Sequence, residues 1–293
     1  METGVSLDEA IQISLTEPLS RRTERVPIEE ARGRVTAVPL LSKVDDPGFD
    51  NSAMDGFAVR ESDCENEGAR LEIVGTSQAG GASPPEIGAG EACRIMTGAT
   101  LPAGADAIVM IEDTEIDGDH VVINGPARAG FIRRKAENLS IGQEALPSGS
   151  LLSSASIALA GTMGHGEIEV ITRPRIAILS TGDELIQPGQ ELSHGQIYES
   201  NSHALASLVE SMGCVAIRHE SANDSLDELR ETLDSLSFCD AILTSGGVSM
   251  GEWDLVRKIM EEEGNLSFWR MKLRPGGPPL FGNWKGTPLF GLP

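Results

Sequence analysis

At 293 residues the chain is long enough for two or three domains, each with its own core. Its 23 basic and 45 acidic side chains give a formal charge of −22, which excludes a general binder of nucleic acid or anionic membrane, since both need a basic surface. The 40% hydrophobic and 23% charged content is that of a globular chain, and METGVSLDEAIQISL lacks the basic-then-apolar order of an export signal.

In chain order, Ser6 and Glu9 form a capping-box pattern around Leu7, Ala10, Ile11 and Leu15, which predicts a helix. Pro27 at a first-turn position before IEEARGRVTA predicts a second. From Asp46 to Asn138 helical periodicity disappears. Short apolar runs (LEIVG, ACRIM, AIVMI, HVVIN) alternate there with Gly, Pro and Asp turns, the pattern of a β-rich domain. Apolar segments return in SLLSSASIALAGTMG and are expected to pack with the N-terminal helices. Residues 46–138 then form an inserted β-rich domain within a helical/linking domain made of residues 1–45 and 139–172.

From Arg175 strands alternate with amphipathic helices. RIAILS, CVAIRHE and DAILTS read as strands, while Asn201–Met212, the segment opened by Asp224 and Asp227, and Glu252–Glu263 read as helices. This alternation implies right-handed crossovers and a buried sheet. The predicted class is therefore α/β, a doubly wound, mostly parallel sheet domain over residues 173–293, preceded by the helical/linking domain with its β-rich insertion. The four cysteines (Cys64, Cys93, Cys214, Cys239) form no CxxC pair and have no histidine at ligand spacing, which reads as free thiols in a reducing cytosol. No apolar stretch approaches the roughly 18 residues of a membrane span.

In an open parallel sheet, ligands bind beyond the carboxyl ends of the strands. Three such ends carry small or polar residues with an acid: STGDEL (180–185), HESANDS (219–225) and SGGVSMGEWD (245–254). Ser180, Thr181, Gly182 and Asp183 in the first, and Ser245, Gly246, Gly247 and Ser249 in the third, are candidate binding residues. Their glycines let backbone N–H groups approach an oxyanion such as phosphate. Carboxylates facing that anion would repel it, so Glu184, Asp224 and Asp254 point to an intervening Mg²⁺. Taken singly, Asp224 and Asp254 read better as helix N-caps than as ligands; three acids at three successive strand tops shift the balance towards a site.

In the β-rich part, GFDNSAMDGFAVR (48–60) and the Thr97-Gly98 pair read by themselves as turn chemistry. Arg133, Arg134 and Lys135, and likewise Arg270, Lys272 and Arg274, concentrate the positive charge an anionic ligand needs, or form solvated runs. The five histidines are scattered, and no HExxH or Gly-Lys-Ser/Thr motif occurs. The expected chemistry uses a metal and electrostatics rather than a side-chain nucleophile.

PGFDNSAMDGFAVR, RIMTGA, FIRRKAEN, STGDEL, IYESN, SGGVSMGEWD and FGLP, in that order, closely resemble the molybdopterin molybdenumtransferases and the matching domain of gephyrin. DNSAMDG is the most specific; STGDEL and SGGVS are shared with molybdopterin adenylyltransferases and other proteins carrying the same α/β domain. The resemblance implies insertion of molybdate into adenylyl-molybdopterin with release of AMP, dependence on Mg²⁺, a homodimer whose subunits share the site, a molybdopterin adenylyltransferase as partner, and a cytoplasmic setting. Carried over by position, Asp55, Thr97, Glu184, Asp224 and Asp254 match family active-site residues, with Glu184, Asp224 and Asp254 on the metal and Arg134, Asn138 and Arg274 among the binding residues.

Three departures accompany the resemblance. Asn138 stands where bacterial members commonly have Asp. RPGGP (274–278) replaces KPGKP, so Arg274 stands for one Lys and Gly277 for another. The family also continues past GLP into a further helix and a C-terminal domain, so the chain is expected to be a C-terminally truncated fragment with an incomplete α/β domain. A non-catalytic molybdopterin-binding or scaffolding protein is the competing function; an adenylyltransferase is disfavoured by the β-rich insertion.

Overall fold

The computed structural model describes residues 2–17, 22–182, 184–222, 225–248, 254–273, 275–276 and 278–293. They fall into two compact units, Met1–Glu24 with Ile171–Pro293, and Arg25–Val170.

In the first unit the capping box at Ser6 forms: Ser6 Oγ accepts from the Glu9 N–H (3.3 Å) and the Glu9 carboxylate accepts from the Ser6 N–H (2.7 Å). It opens α1 (Leu7–Leu15). The four residues before it form β1 (Glu2–Val5), and the remaining strands of the same sheet are β2 (Arg175–Thr181), β3 (Val215–Ala222), β4 (Ala241–Ser245), β5 (Asn265–Met271), β6 (Leu280–Trp284) and β7 (Thr287–Leu292). Their spatial order is β1-β5-β6-β7-β4-β2-β3. The joins to β6 on both sides are antiparallel and the other four are parallel. The expected mostly parallel α/β sheet is present.

Alternation along β2 sends successive side chains to opposite faces. Ala177 and Leu179 join Ile242 and Leu289 under α4 (Leu226–Ser235) and α5 (Leu255–Glu262), contributing to a core that includes Leu233, Ile259 and Trp284. Ile178 faces the other side, against Ala206 and Val209 of α3 (Asn201–Ser211). On that same side α1 buries Ala10 against Val5, Phe268 and Phe281. The sequence had grouped this helix with residues 139–172. The difference comes from β1, whose four residues are too few to show periodicity yet pair in parallel with β5 and carry α1 onto the sheet.

The second unit holds a six-stranded sheet in the order Ala107–Met110, Gly56–Val59, Glu91–Ile95, Ala69–Ser77, His120–Ile123, Thr114–Asp117. All four apolar runs singled out in the sequence lie in or overlap these strands. Phe57 and Val59 face one core and Ala58 the other, as strand alternation requires. A separate core joins Val26, Leu152, Ile168 and Val170 to Ala160 of α2 (Ser154–Thr162), which Ser153 caps.

The helix expected after Pro27 does not form. Thr23–Pro27 is a strand, Ile28–Glu30 is a single 3-10 turn, and Val35 and Thr36 make bridges to Leu151 and Val170. Gly33 at φ +74° breaks the run, and the β-branched residues after it favour extended backbone. Among the described residues no helix is long and apolar enough to cross a membrane.

Candidate functional site

Strands β2 and β4 are adjacent and parallel, with Ser180 in register with Ser245. Both serines follow the alternation of Ile178 and Leu243, so both point to the α3 side of the sheet. Here, beyond the carboxyl ends of the strands, lies a cavity of about 200 Å³ lined by Ser180, Thr181, Glu184, Glu199, Asn201 and Ser245, together with Gly246.

One wall is a buried hydrogen-bond network. Glu199 Oε1 accepts from the Ser180 hydroxyl (2.9 Å) and the Ser202 N–H (2.7 Å), and its Oε2 accepts from the Ser202 hydroxyl (2.6 Å). Arg218 donates through Nε to Ser202 Oγ at 2.9 Å and places Nη2 3.5 Å from the carboxylate. Glu199 is only 2% exposed. Burial by itself would raise its carboxyl pKa, but the bonds from Ser202, then Ser180, and the Arg218 charge hold it below the ordinary range. Beside it, Asn201 Nδ2 donates to Ser245 Oγ at 2.9 Å.

The glycines after β4 have a steric reason. Gly246 and Gly247 adopt φ of +93° and +69°. A Cβ at Gly246 would stand 2.8 Å from the Thr181 carbonyl oxygen; one at Gly247 would stand 3.0 Å from both Thr181 Oγ1 and Val256. The turn is therefore folded tightly against the neighbouring strand top and the start of α5, with the Trp269 indole N–H donating to Val248 O at 3.1 Å.

In the β-rich unit, the antiparallel pairing of Gly56–Val59 with Glu91–Ile95 brings Asp55 and Thr97 together. Asp55 Oδ1 accepts from the Thr97 N–H (2.7 Å) and hydroxyl (2.9 Å). The backbone N–H first, and then the hydroxyl, hold the Asp55 carboxyl below its usual pKa. A hollow of about 420 Å³ next to Gly98 is lined by Asp46, Pro47, Asn51, Arg133, Glu137 and Asn138. Asn138 Nδ2 donates to Asp46 Oδ2 at 2.9 Å.

The expected concentration of charge at 133–135 is largely neutralised. Arg134 pairs with Asp50 at 2.7 Å and Lys135 with Asp45 at 3.2 Å. The Lys135 N–H and the Arg134 guanidinium lower the Asp50 carboxyl pKa. Of the three basic residues, Arg133 is the one that lines the hollow.

Ser180, Thr181, Glu184, Ser245 and Gly246 thus share one cavity, which Gly182 and Gly247 adjoin in sequence, and Asp55 and Thr97 form a pair. Asp183, Asp224, Ser249 and Arg274 lie outside the described residues. Asp254 occupies the N-cap position of α5, and its side chain makes no capping hydrogen bond there; helix α4 is capped by Ser225. Among the described residues no three His, Cys, Asp or Glu side chains converge as a metal site. Glu199 and Asn201 received no role from the sequence, although both lie in IYESN. The available signal was an acid three residues before Ser202, at the start of a helix, where a carboxylate meets unpaired N–H groups.

Two family models match the chain: the MoeA N-terminal region (domain I and II) over residues 5–164, and the probable molybdopterin binding domain over residues 177–293. The chain is 35% identical over 293 residues to the molybdopterin molybdenumtransferase of Haemophilus influenzae, covering 99% of itself and 72% of that protein. It is 37% identical over 281 residues to that of Nostoc sp., covering 92% of itself and 64% of the relative. A solved molybdopterin biosynthesis MoeA protein from Pyrococcus horikoshii superposes with a TM-score of 0.86 at 33% identity, over 99% of this chain and 74% of that one.

Proposed function

The chain belongs to the molybdopterin molybdenumtransferase family, and from that premise we propose that it acts in molybdenum cofactor biosynthesis, inserting molybdate into adenylylated molybdopterin with release of AMP. The observation that carries this reading is the polar cavity at the tops of β2 and β4, inside the segment similar to molybdopterin-binding domains.

Asp55, kept ionised by Thr97, and Arg133 in the hollow beside Gly98 are the groups of the β-rich unit assigned to the reaction. A guanidinium suits the tetrahedral oxyanion, which it meets with a planar pair of donors. Glu184, Asp224 and Asp254 would hold Mg²⁺. Glu184 and the hydroxyls around it offer oxygen donors only, the ligand chemistry of a hard divalent ion. Bound there, Mg²⁺ would offset the charge of the adenylate phosphates. A homodimer, delivery of substrate by a molybdopterin adenylyltransferase, and a cytoplasmic location complete the proposal.

The test is AMP release from adenylyl-molybdopterin with molybdate and Mg²⁺, read by chromatography. Molybdate-dependent release supports the transferase. Substrate binding with no release would instead make the chain a non-catalytic molybdopterin-binding scaffold.

A further inference from the structure

The glycine pair after β4 has no side chain of its own to hold it, and glycine keeps more backbone freedom than any other residue. What holds the turn lies on the α5 side of the sheet. Val248 packs against β7, in space that exists because Gly291 has no Cβ: one built there would stand 2.6 Å from Val248 Cγ1. Val248 is 1% exposed, and its carbonyl accepts the indole N–H of Trp269, which reaches it from β5. The indole is itself steadied. The Arg257 guanidinium lies 3.8 Å from its ring centroid and that of Arg270 4.9 Å, an attraction that fixes the plane of the ring. Arg257 is in turn held by Glu261 at 3.0 Å.

The same turn meets the start of α5. A helix leaves its first N–H groups without partners, and an Asp at the N-cap normally takes the one at the second or third helical position with its own carboxylate. In α5 the third-position N–H belongs to Arg257, and the Gly247 carbonyl accepts it at 3.2 Å. Asp254 occupies the N-cap position and its side chain makes no capping hydrogen bond. The turn caps the helix in place of the aspartate. Trp269 and Arg257 therefore hold two successive carbonyls, those of Val248 and Gly247, and the second of these contacts keeps capping from drawing the Asp254 carboxylate onto the helix.

We propose that Trp269 is a positioning residue for the transferase reaction: steadied by Arg257, it holds the turn after β4 so that the Gly247 carbonyl caps α5 and the Asp254 carboxylate is kept for the reaction. The inference rests on the transferase reading above and on Asp254 as a group that reading uses. Trp269 acts through Val248 and the turn, not on the substrate. Removing its N–H leaves a buried carbonyl unmatched, which is costly and loosens the turn. Once the Gly247 carbonyl withdraws, the Arg257 N–H recruits the Asp254 side chain, as an ordinary N-cap does.

Trp269→Phe keeps a ring beneath the guanidinium and deletes only the donor; Arg257→Ala keeps the main-chain N–H and deletes the stacked cation; Arg257→Lys restores a cation. Each is assayed for molybdate-dependent AMP release, for its urea midpoint, and for hydrogen exchange of the Gly246 amide, which the Leu292 carbonyl accepts at 2.9 Å. In Trp269→Phe the kcat of the folded enzyme falls roughly tenfold, while KM stays within about twofold, the pattern of a lost alignment rather than lost binding. The Gly246 amide exchanges faster in the same variant, before any substrate or metal is added. Arg257→Ala moves both readouts the same way by a smaller factor, and Arg257→Lys recovers most of the loss. Combining Trp269→Phe with Arg257→Ala costs no more kcat than Trp269→Phe alone, because Arg257 acts through the indole. A lowered urea midpoint with kcat and Gly246 exchange unchanged would make Trp269 a packing residue and overturn the proposal, as would additive kcat losses in the double variant. Absence of AMP release by the unaltered chain would refute the transferase reading and this assignment with it; release that Trp269→Phe leaves at full kcat refutes the assignment alone.

Discussion

Replacing Gly246 with Ala tests whether the turn after β4 is glycine for steric reasons. At φ +93° a Cβ would stand 2.8 Å from the Thr181 carbonyl oxygen and 3.1 Å from its Oγ1. The unfavourable φ costs roughly 1–3 kcal/mol. Because the nearer atom is main chain, relief needs a shift of the β2 end, adding roughly 1–3 kcal/mol. Gly286→Ala provides the comparison: φ is +99° there, and nothing lies within 4 Å of the added carbon. It should lose only the backbone cost, roughly 1–3 kcal/mol. All three tryptophans fall within Ile171–Pro293, so urea unfolding followed by indole fluorescence reports this unit selectively. The expected order of midpoints is unaltered chain, then Gly286→Ala, then Gly246→Ala. Equal midpoints for the two variants would refute the close approach of the turn to Thr181.

Asp55→Asn keeps the shape but removes the charge that accepts both Thr97 bonds. It should leave the unfolding midpoint nearly unchanged and reduce AMP release by about 100-fold, the scale for a charged group acting at a reacting centre. Asn138→Asp would place a second carboxylate where an amide now donates to Asp46 at 2.9 Å. The pair should share a proton, with one pKa raised above the ordinary carboxylate range. A raised acid pKa in the folded state lowers stability above that pKa and restores it as pH falls, so the deficit of this variant should shrink between pH 7 and pH 4 in urea titrations. For Glu199, whose folded pKa is lowered, the sign is opposite: its contribution is full above the ordinary carboxylate pKa and is lost as acid protonates the folded carboxylate. Glu199→Gln should therefore flatten the acid limb of the stability profile of the α/β unit. The Cys64 thiol is pushed up to about 11 by burial and the nearby Asp63, Asp106 and Glu61. It should react with iodoacetamide at pH 8 much more slowly than a free thiol, a rate measurable by mass spectrometry.

Local pattern was sufficient for much of this molecule. The alternation in RIAILS and DAILTS identifies β2 and β4, and the glycines after DAILTS mark the strand top, because side-chain period and turn chemistry are properties of neighbouring residues. The capping box at Ser6 is legible for the same reason. The sequence also brought Asp55 and Thr97 forward as candidates. That they touch depends on the pairing of two strands, since they are 42 residues apart.

Only the tertiary structure decided what those elements meet. Whether Arg134 is an available cation or half of an ion pair depends on Asp50, 84 residues away. Helix α1 sits on the α/β sheet because a four-residue strand pairs with β5 near the other end of the chain. The sequence assigns no role to Glu199; the fold buries its carboxylate between Ser180, Ser202 and Arg218. The sequence by itself determined the strand tops and the residue types available there. The direction of each hydroxyl, and with it the polarity of the cavity, arises only when β2, β4 and the start of α3 are brought together, because a hydrogen bond's sense is set by the partner, not by the residue.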